Sequence, residues 1–541
     1  MKKLVSMLLA FSLALTMLAL PSLAEEAFAG IGIVHTQFGD VSGVIGPTKN
    51  VTMFKGIPFA APPVGELRWH EPVDPEPWEG VLACDTYAPA AMQPSYTAFM
   101  MRPGSDFYPM GAPAQSEDCL YLNVTTPATS ADEKLPVMVW FHGGGLSHGY
   151  SWQVPFDGEG LASKGVILVT VSQRLGVMGY ISLPQLDAES ETGISGNYGL
   201  MDCVKAINWV YDNIAAFGGD PENIMVFGQS GGGAKTLASV AAPQTQGKVA
   251  RFSTQSSFGI FSGSGSNMGM ATPEANKETG LALLDALGVS RDATLEELRA
   301  IPAETIYAAA GAAGGAMVID GKYITGERSD FYLGEGNLNG IEMMAGWVFG
   351  EKGSYEATSA AELFAKIREV YGDELCDKYD LENTMPITDT NVGYYNYLLK
   401  QDEALDEIRL YARLKAERNE DSPSYIYSFG RVTPNKNLGW HSGELWYMFN
   451  NLGYSFEGMD AEWQPAWEVY DYMVAEETSD YWTNFAKTGD PSGVSVVEWP
   501  AANAESAAYQ YIDVVSTTFD QLSSFDQMVI EYYTNLYGLA E

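Results

Sequence analysis

Three short apolar segments of the chain each run directly into a loop of small or polar residues. Residues 137–141 precede HGGG, residues 166–171 precede SQRLG, and residues 224–227 precede GQSGGG. Between the last two segments, residues 200–217 place apolar side chains at helical spacing along one face. Strand, helix and strand joined by short connections predict a parallel sheet covered by helices on both faces, so we expect an α/β fold.

Composition and charge limit what this chain can do. Of its 541 residues 46% are apolar and 18% charged, which is typical of a globular protein long enough to bury a large core. No internal repeat and no long Pro/Ser-rich linker divides it, so we expect one large domain over residues 25–541, with insertions. Against 69 Asp and Glu there are only 30 Lys and Arg, a net charge of −39. This balance excludes nucleic acid as a partner, because phosphate backbones require clustered basic residues.

The N-terminus has the features of an export signal. Lys2 and Lys3 precede an apolar stretch over residues 4–20, Pro21 then breaks any helix, and small residues occupy positions 22 and 24. We expect a signal peptide over residues 1–24, cleaved near Ala24, and a secreted or extracytoplasmic mature chain of charge −41, since removal takes two lysines from −39. The alternative is a retained N-terminal anchor, but no positive cluster follows the apolar stretch and no later segment is apolar for long enough to span a bilayer.

The four cysteines indicate no metal site. They are not arranged as CxxC pairs, no histidine cluster accompanies them, and we expect neither a metal nor a cofactor. Export permits disulfides, and four cysteines allow three full pairings, of which Cys84 with Cys119 is the pair we favour. Cys203 falls within the helical pattern and is expected to be a small buried apolar residue.

The sharpest local signal is GQSGG at residues 228–232. A G-x-S-x-G sequence between a buried strand and a helix, here residues 234–241, is typical of a nucleophile elbow, where crowding demands small residues around the serine. Ser230 is therefore the predicted nucleophile. The alternative is a Gly/Ser turn without chemistry.

A second signal is HGGG at residues 142–145. Acyl transfer needs hydrogen-bond donors directed at the oxygen that becomes negative, and consecutive glycines let backbone N–H groups approach it. We assign this oxyanion hole to the N–H groups of Gly144, Gly145 and Gly231. Taken alone, HGGG also fits a glycine-rich turn.

A nucleophilic serine needs a base and an acid. α/β-Hydrolases place serine, acid and histidine in that order along the chain, and His441 is the only one of five histidines after Ser230. The acid should follow a strand of the same sheet, and Glu351 directly follows the strand-like residues 343–349, where it would hold the His441 tautomer. The alternative is a surface glutamate in a turn beside Lys352.

The chain resembles the type-B carboxylesterase and cholinesterase family of α/β-hydrolases across most of its mature length. The resemblance is carried in order by FKGIPFAAPPVGELRW, SEDCLYLNV, WFHGGG, RLGVMGY, NYGLMD, NIAAFGGDPENIMVFGQSGGG and GWHSGELWYMF. It implies a mostly parallel sheet with helices on both faces and large insertions that form an active-site gorge. It also implies a catalytic serine at Ser230, oxyanion glycines at Gly144 and Gly145, and a catalytic histidine at His441.

The family's acid follows a strand-ending glycine by five residues, an interval that Gly346 and Glu351 keep. However, the family usually has Asp-Glu-Gly there, and this chain has Gly-Glu-Lys-Gly. Gln229 replaces the glutamate that commonly precedes the serine in cholinesterases, and losing that charge disfavours choline esters. The usual partner for the cysteine of EDCL falls near Ala91 and is absent.

The resemblance further implies two buried ion pairs, Arg68–Glu117 and Arg174–Asp202, that specify the fold. We therefore expect an exported serine carboxylesterase acting on small-molecule esters. The alternatives are a non-catalytic binding or adhesion protein on the same fold, or an acyl hydrolase preferring amides or thioesters. The substrate pockets should come from insertions near residues 260–340 and 353–425, but the natural ester and the oligomeric state do not follow from the sequence.

Overall fold

The computed structural model of the chain describes residues 28–94, 113–260, 270–310, 315–333, 337–338, 340–418, 422–434, 439–453, 466–503 and 506–539. The predicted signal peptide lies outside these residues. Among the helices in the described ranges, none combines the length and the apolar character that a membrane span requires.

Eighteen strands occur in the described chain. Numbered in chain order they are β1 (Ile33–His35), β2 (Asp40–Ser42), β3 (Val44–Ile45), β4 (Thr52–Pro58), β5 (Val81–Ala83), β6 (Ala90–Ala91), β7 (Gln115–Ser116), β8 (Tyr121–Thr126), β9 (Leu135–Phe141), β10 (Ile167–Val171), β11 (Gly219–Gln229), β12 (Arg251–Gln255), β13 (Met270–Ala271), β14 (Met317–Val318), β15 (Glu342–Val348), β16 (Ser424–Phe429), β17 (Tyr509–Ile512) and β18 (Thr517–Phe519).

One sheet of eleven strands dominates the molecule, in the order β18-β17-β16-β15-β12-β11-β9-β10-β8-β4-β3. Its centre, from β17 across to β10, is parallel, whereas β8, β4, β3 and β18 pair antiparallel at the two sides. Three small sheets, β1-β2-β5, β6-β7 and β13-β14, lie outside it. The predicted parallel sheet is confirmed.

Helices account for most of the remaining regular structure. The α-helices are α1 (Glu159–Ala162), α2 (Gly176–Tyr180), α3 (Pro184–Asp187), α4 (Tyr198–Asn213), α5 (Gly231–Ala241), α6 (Pro273–Leu287), α7 (Leu295–Arg299), α8 (Ala303–Ala310), α9 (Arg328–Leu333), α10 (Ala360–Tyr371), α11 (Asp373–Lys378), α12 (Leu381–Thr384), α13 (Val392–Glu417), α14 (Leu445–Met448), α15 (Val469–Thr488) and α16 (Ser524–Leu536). Short 3₁₀ helices occupy Gly65–Leu67, Ala131–Glu133, Val154–Phe156, Ile214–Phe217 and Pro243–Thr245.

Helices cover both faces of the sheet, as alternation along β9 shows. Val137 and Val139 pack into one apolar cluster together with residues of α4 and α5. Met138 and Trp140, which point the other way, pack into a second cluster with residues of α14 and α15. Because successive side chains of a strand face opposite sides, these two clusters lie on opposite faces of the sheet.

The register of the central strands places the two glycine-rich loops side by side. β11 pairs with β9 in parallel so that Gly228, the first residue of GQSGGG, lies opposite Phe141, the residue just before HGGG. The observed bounds differ from the predicted ones: β11 begins at Gly219 rather than at residue 224, and the predicted helix 200–217 is α4, which begins at Tyr198, followed by a 3₁₀ turn. Parallel strands carry their carboxyl ends to one edge, so this edge is where the site must form.

Both ion pairs implied by the resemblance are present. Arg68 donates two hydrogen bonds of 2.6 Å to the carboxylate of Glu117. Arg174 does the same to the fully buried Asp202, at 2.9 and 2.8 Å. Two parallel N–H···O bonds fix the relative orientation of the joined segments as well as their distance.

The favoured disulfide between Cys84 and Cys119 is wrong. All four cysteines are free thiols and are buried. Cys119 lines a small cavity with Ala91 and Arg174, and Cys84 is not among the residues that line it. Cys119 therefore lines the same cavity as Ala91, the position where the resemblance put the missing partner. Burial raises the pKa of the Cys84 thiol to about 12, and burial raises that of Cys119 well above its usual range.

Candidate active site

Ser230 lies in a sharp turn between β11 and α5. Its backbone has φ +55° and ψ −125°, an unusual conformation for a residue with a side chain. The following glycine positions are crowded: a Cβ on Gly232 would lie 1.9 Å from the carbonyl oxygen of Phe141. Only glycine fits there, and the strain at Ser230 is of the kind found at functional turns.

The HGGG loop packs directly against this turn. Gly144 and Gly145 have φ of +86° and +62°, and a Cβ on Gly231 would lie 2.0 Å from the carbonyl oxygen of Gly145. Within the described residues, no acceptor is found for the N–H groups of Gly144 and Gly145. Gly231 is the first residue of α5, where backbone N–H groups have no acceptor within the helix. Unpaired donors therefore lie next to the Ser230 turn.

Glu351 and His441 are brought together from different strands. Glu351 follows β15, His441 lies beyond β16, and the carboxylate Oε2 is 2.5 Å from Nδ1 of the imidazole. The other carboxylate oxygen accepts hydrogen bonds from Ser256 Oγ at 2.6 Å and from the Val348 N–H at 2.7 Å. The Glu351 side chain is only 3% exposed, so it is not the surface glutamate of the alternative interpretation.

The second imidazole nitrogen of His441 faces the nucleophile turn. Nε2 lies 3.4 Å from the side-chain amide of Gln229, the residue before Ser230. No hydrogen bond joins Ser230 Oγ to His441 among the described contacts. The structure thus places the predicted serine, histidine and glutamate at one edge of the sheet, with the histidine–glutamate contact formed and the serine–histidine contact open.

The charge surroundings of His441 favour its protonated form. Burial alone lowers the imidazole pKa, and Lys352 also lowers it. The hydrogen bond and charge of Glu351, followed by the charge of Glu444, outweigh both, so the pKa of His441 is raised above its ordinary value. A base held this way becomes protonated at a higher pH than a free histidine.

Glu444 is a site residue that the sequence analysis missed. It lies three residues after His441, directly before α14, and is completely buried. Neither carboxylate oxygen has a hydrogen-bond partner in the described structure. Burial, followed by the charge of Glu351, raises the pKa of Glu444 to about 8. The sequence feature that could have identified it is an acidic residue inside the apolar segment GELWYMF. A search restricted to carboxylates that follow strands does not include it.

The other four histidines have partners away from the Ser230 hydroxyl. His35 bonds to Asp40, His70 to the Glu71 carbonyl, His142 to the Gly143 carbonyl and Gln173, and His148 to Ser147. Burial lowers the pKa of His142 well below its ordinary value, so this residue is a neutral support behind the HGGG loop. The described part of the chain contains no group of three or more His, Cys, Asp or Glu side chains arranged to hold a metal ion.

The architecture and the strained serine turn at the carboxyl ends of the strands are those of an α/β-hydrolase. Comparison with known proteins makes this assignment specific. A match to the carboxylesterase family extends over residues 31–528, and the chain belongs to this family.

Similar proteins carry esterase names. Fumonisin B1 esterase from Sphingopyxis macrogoltabida is 33% identical over 479 residues, which cover 86% of this chain and 84% of that protein. Para-nitrobenzyl esterase from Bacillus subtilis is 32% identical over 512 residues, covering 89% of this chain and 94% of its own. A solved structure of a PNB esterase superposes with a TM-score of 0.72 at 29% identity, over 92% of this chain and 99% of that one. The chain is accordingly a carboxylic ester hydrolase, and the alternative of a non-catalytic binding protein is not supported.

Proposed function

We propose that this chain is an exported serine carboxylesterase that cleaves small-molecule esters through an acyl-serine intermediate. Ser230 is the nucleophile, His441 its base and Glu351 the residue that orients the base. The single observation that carries this proposal is the 2.5 Å contact between Glu351 and His441 beside the strained Ser230 turn.

The first step is attack of Ser230 Oγ on the ester carbonyl. The ionised carboxylate of Glu351 accepts a hydrogen bond from Nδ1–H, which leaves the lone pair on Nε2 to take the serine proton. Nε2 faces the turn, 3.4 Å from the side-chain amide of Gln229, and a catalytic hydrogen bond that is open in the free enzyme can form once substrate is bound. The protonated His441 then gives its proton to the leaving alcohol, and water hydrolyses the acyl-serine through the same base.

The negative oxygen of the tetrahedral intermediate would be bound by the N–H groups of Gly144, Gly145 and Gly231. Support for this role comes from their unpaired donors and from the contact between Gly231 and Gly145, which leaves no space for side chains. Donors fixed in place before the reaction stabilise the charge without reorganisation.

Hydrolysis of a p-nitrophenyl ester series, from acetate to palmitate, tests the nucleophile. Replacing Ser230 by alanine should lower kcat by at least ~10³-fold, whereas Ser239→Ala on the following helix should retain activity. Turnover retained by the Ser230 variant would refute the assignment. The chain-length optimum of the wild type would describe the acyl pocket.

The bond type is a separate question from the nucleophile. Matched ester, thioester and amide substrates with one common acyl group should show the highest kcat/KM for the ester. If the amide or thioester is cleaved faster and this activity is lost in the Ser230 variant, the assignment of the catalytic residues stands but the substrate class is an amide or a thioester rather than an ester.

Export is proposed from the N-terminal sequence. A full-length chain expressed in a bacterial host should leave the cytoplasm and begin at Glu25, which N-terminal sequencing would determine. A chain that keeps residues 1–24 and sediments with membranes would instead support the retained anchor.

A further inference from the structure

A second cavity lies away from Ser230, at the side of the sheet formed by β16, β17 and β18. It has a volume of about 610 Å³ and lies among α13, β17 and the start of α16. None of Ser230, Glu351 and His441 is among the residues that line it. The six aromatic rings in its lining belong to Phe349, Tyr394, Tyr395, Tyr509, Tyr511 and Phe519.

These rings form a nearly continuous aromatic wall. Phe349 stacks on Tyr394 with ring centroids 6.2 Å apart and meets Tyr511 edge-on at 6.3 Å. Tyr509 stacks on Phe519 at 5.1 Å. Tyr394 and Phe519 are 58% and 45% exposed, so the wall extends from the cavity to solvent and a ligand can enter without unfolding.

A buried carboxylate lies within this aromatic wall. Asp402 lines the cavity and is only 8% exposed, and no hydrogen bond or ion pair to its side chain is found among the described residues. Arg409 also lines the cavity and lies over the Tyr509 ring, 5.2 Å from its centroid. Its guanidinium is ion-paired with Asp406 at 2.5 Å and with Asp526, another lining residue, at 3.2 Å. Asp406 and Asp526 are therefore ion-paired with Arg409. The third carboxylate of this group, Asp402, has no such partner among the described residues.

The burial of Asp402 without a partner changes the pKa of its carboxyl group. Burial raises the pKa of its carboxyl well above the ordinary range, and the charges of Asp526 and Glu403 raise it further, whereas Arg409 lowers it. A cation bound in the cavity would favour the ionised form and offset the burial.

We infer that this cavity binds a small organic ammonium cation. Aromatic faces attract cations through the ring quadrupole, and a desolvated carboxylate supplies the opposite charge. An organic ammonium group suits both, because its methyl or methylene groups contact rings while its charge faces Asp402. A bare metal ion lacks this apolar surface, and no group of three or more His, Cys, Asp or Glu side chains placed to hold one is found in the described part of the chain.

Isothermal titration calorimetry with choline tests the inference on the folded full chain. Its uncharged isostere, 3,3-dimethylbutan-1-ol, has nearly the same shape and provides the matched ligand control. We expect saturable choline binding at constant ionic strength, with sodium unable to replace choline and the isostere bound much more weakly.

Two variants locate the binding. Asp402→Asn keeps the side-chain shape and should raise the choline Kd at least about tenfold. Tyr394→Leu, at the exposed rim, should raise it about threefold and covers the case in which the buried variant fails to fold. Glu417→Gln removes an exposed carboxylate from the same helix and should leave Kd unchanged.

Three results would overturn the inference. These are the absence of saturable binding, equal affinity for choline and its isostere, and an unchanged Kd in folded Asp402→Asn. The last result would place any choline binding elsewhere, including near Ser230. Ester hydrolysis is not the readout, so failure here is independent of the proposed catalytic residues.

Discussion

Replacing Glu444 by glutamine should make the stability of this protein less sensitive to alkaline pH. Glu444 is completely buried, neither of its carboxylate oxygens has a hydrogen-bond partner in the described structure, and it lies near the charge of Glu351. Glutamine keeps the size and shape of the protonated acid but cannot ionise. The substitution therefore removes the titration and leaves the packing unchanged.

The magnitude follows from the change in pKa. Burial, followed by the charge of Glu351, raises the pKa of Glu444 from 4.5 to about 8. Between these values the folded protein keeps a proton that the unfolded chain releases, so the free energy of unfolding falls as pH rises. From about pH 5.5 to about pH 8.5 this loss amounts to about 3 kcal/mol. Glu444→Gln should gain that amount relative to wild type over the same interval.

Urea unfolding of both proteins at the two pH values measures this difference. Glu304→Gln, which removes an exposed carboxylate from α8, is the control and should follow the wild type at both pH values. If the wild type and Glu444→Gln differ by the same free energy at both pH values, Glu444 does not retain its proton in the folded state and the reasoning is refuted.

Three further predictions concern catalysis and the thiols. Glu351→Gln should lower kcat by at least about 10²-fold, because the imidazole loses its orienting charge, and near-wild-type turnover would assign the acid to another carboxylate. Since the pKa of His441 is raised and the base acts unprotonated, kcat/KM should fall with decreasing pH around a value above 6.5; a midpoint below 6.5 would contradict this. Ellman's reagent should leave all four buried cysteines unmodified in the folded protein and modify them in urea, whereas rapid reaction before unfolding would show that a thiol is accessible.

The strands and the helices beside them followed from local patterns. Residues 137–141 and 224–227 are apolar over the length of a buried strand, a glycine-rich loop follows each, and both lie inside observed strands. The helix predicted over residues 200–217 begins two residues earlier, at Tyr198, and its last turn is 3₁₀. Such elements are predictable because periodicity and turn residues act over a few positions.

Local patterns did not predict that the four cysteines are free or that Glu444 is buried in the site. The sequence analysis favoured Cys84 as the partner of Cys119, but both thiols are free, and Cys119 lines its cavity with Arg174 and Ala91 rather than with Cys84. The burial of Glu444 depends on elements far away in sequence, so its pKa carries no local signal.

By itself the sequence determined the α/β class, the serine turn and the order of Ser230, Glu351 and His441, since glycine requirements and strand patterns are short-range. Only the tertiary structure decided that Glu351 is buried against His441 and that Glu444 lies near them without a hydrogen-bond partner in the described structure. It also decided that Asp402 lines an aromatic cavity. The physical reason is that desolvation and charge coupling depend on distances between segments that are joined only when the sheet assembles.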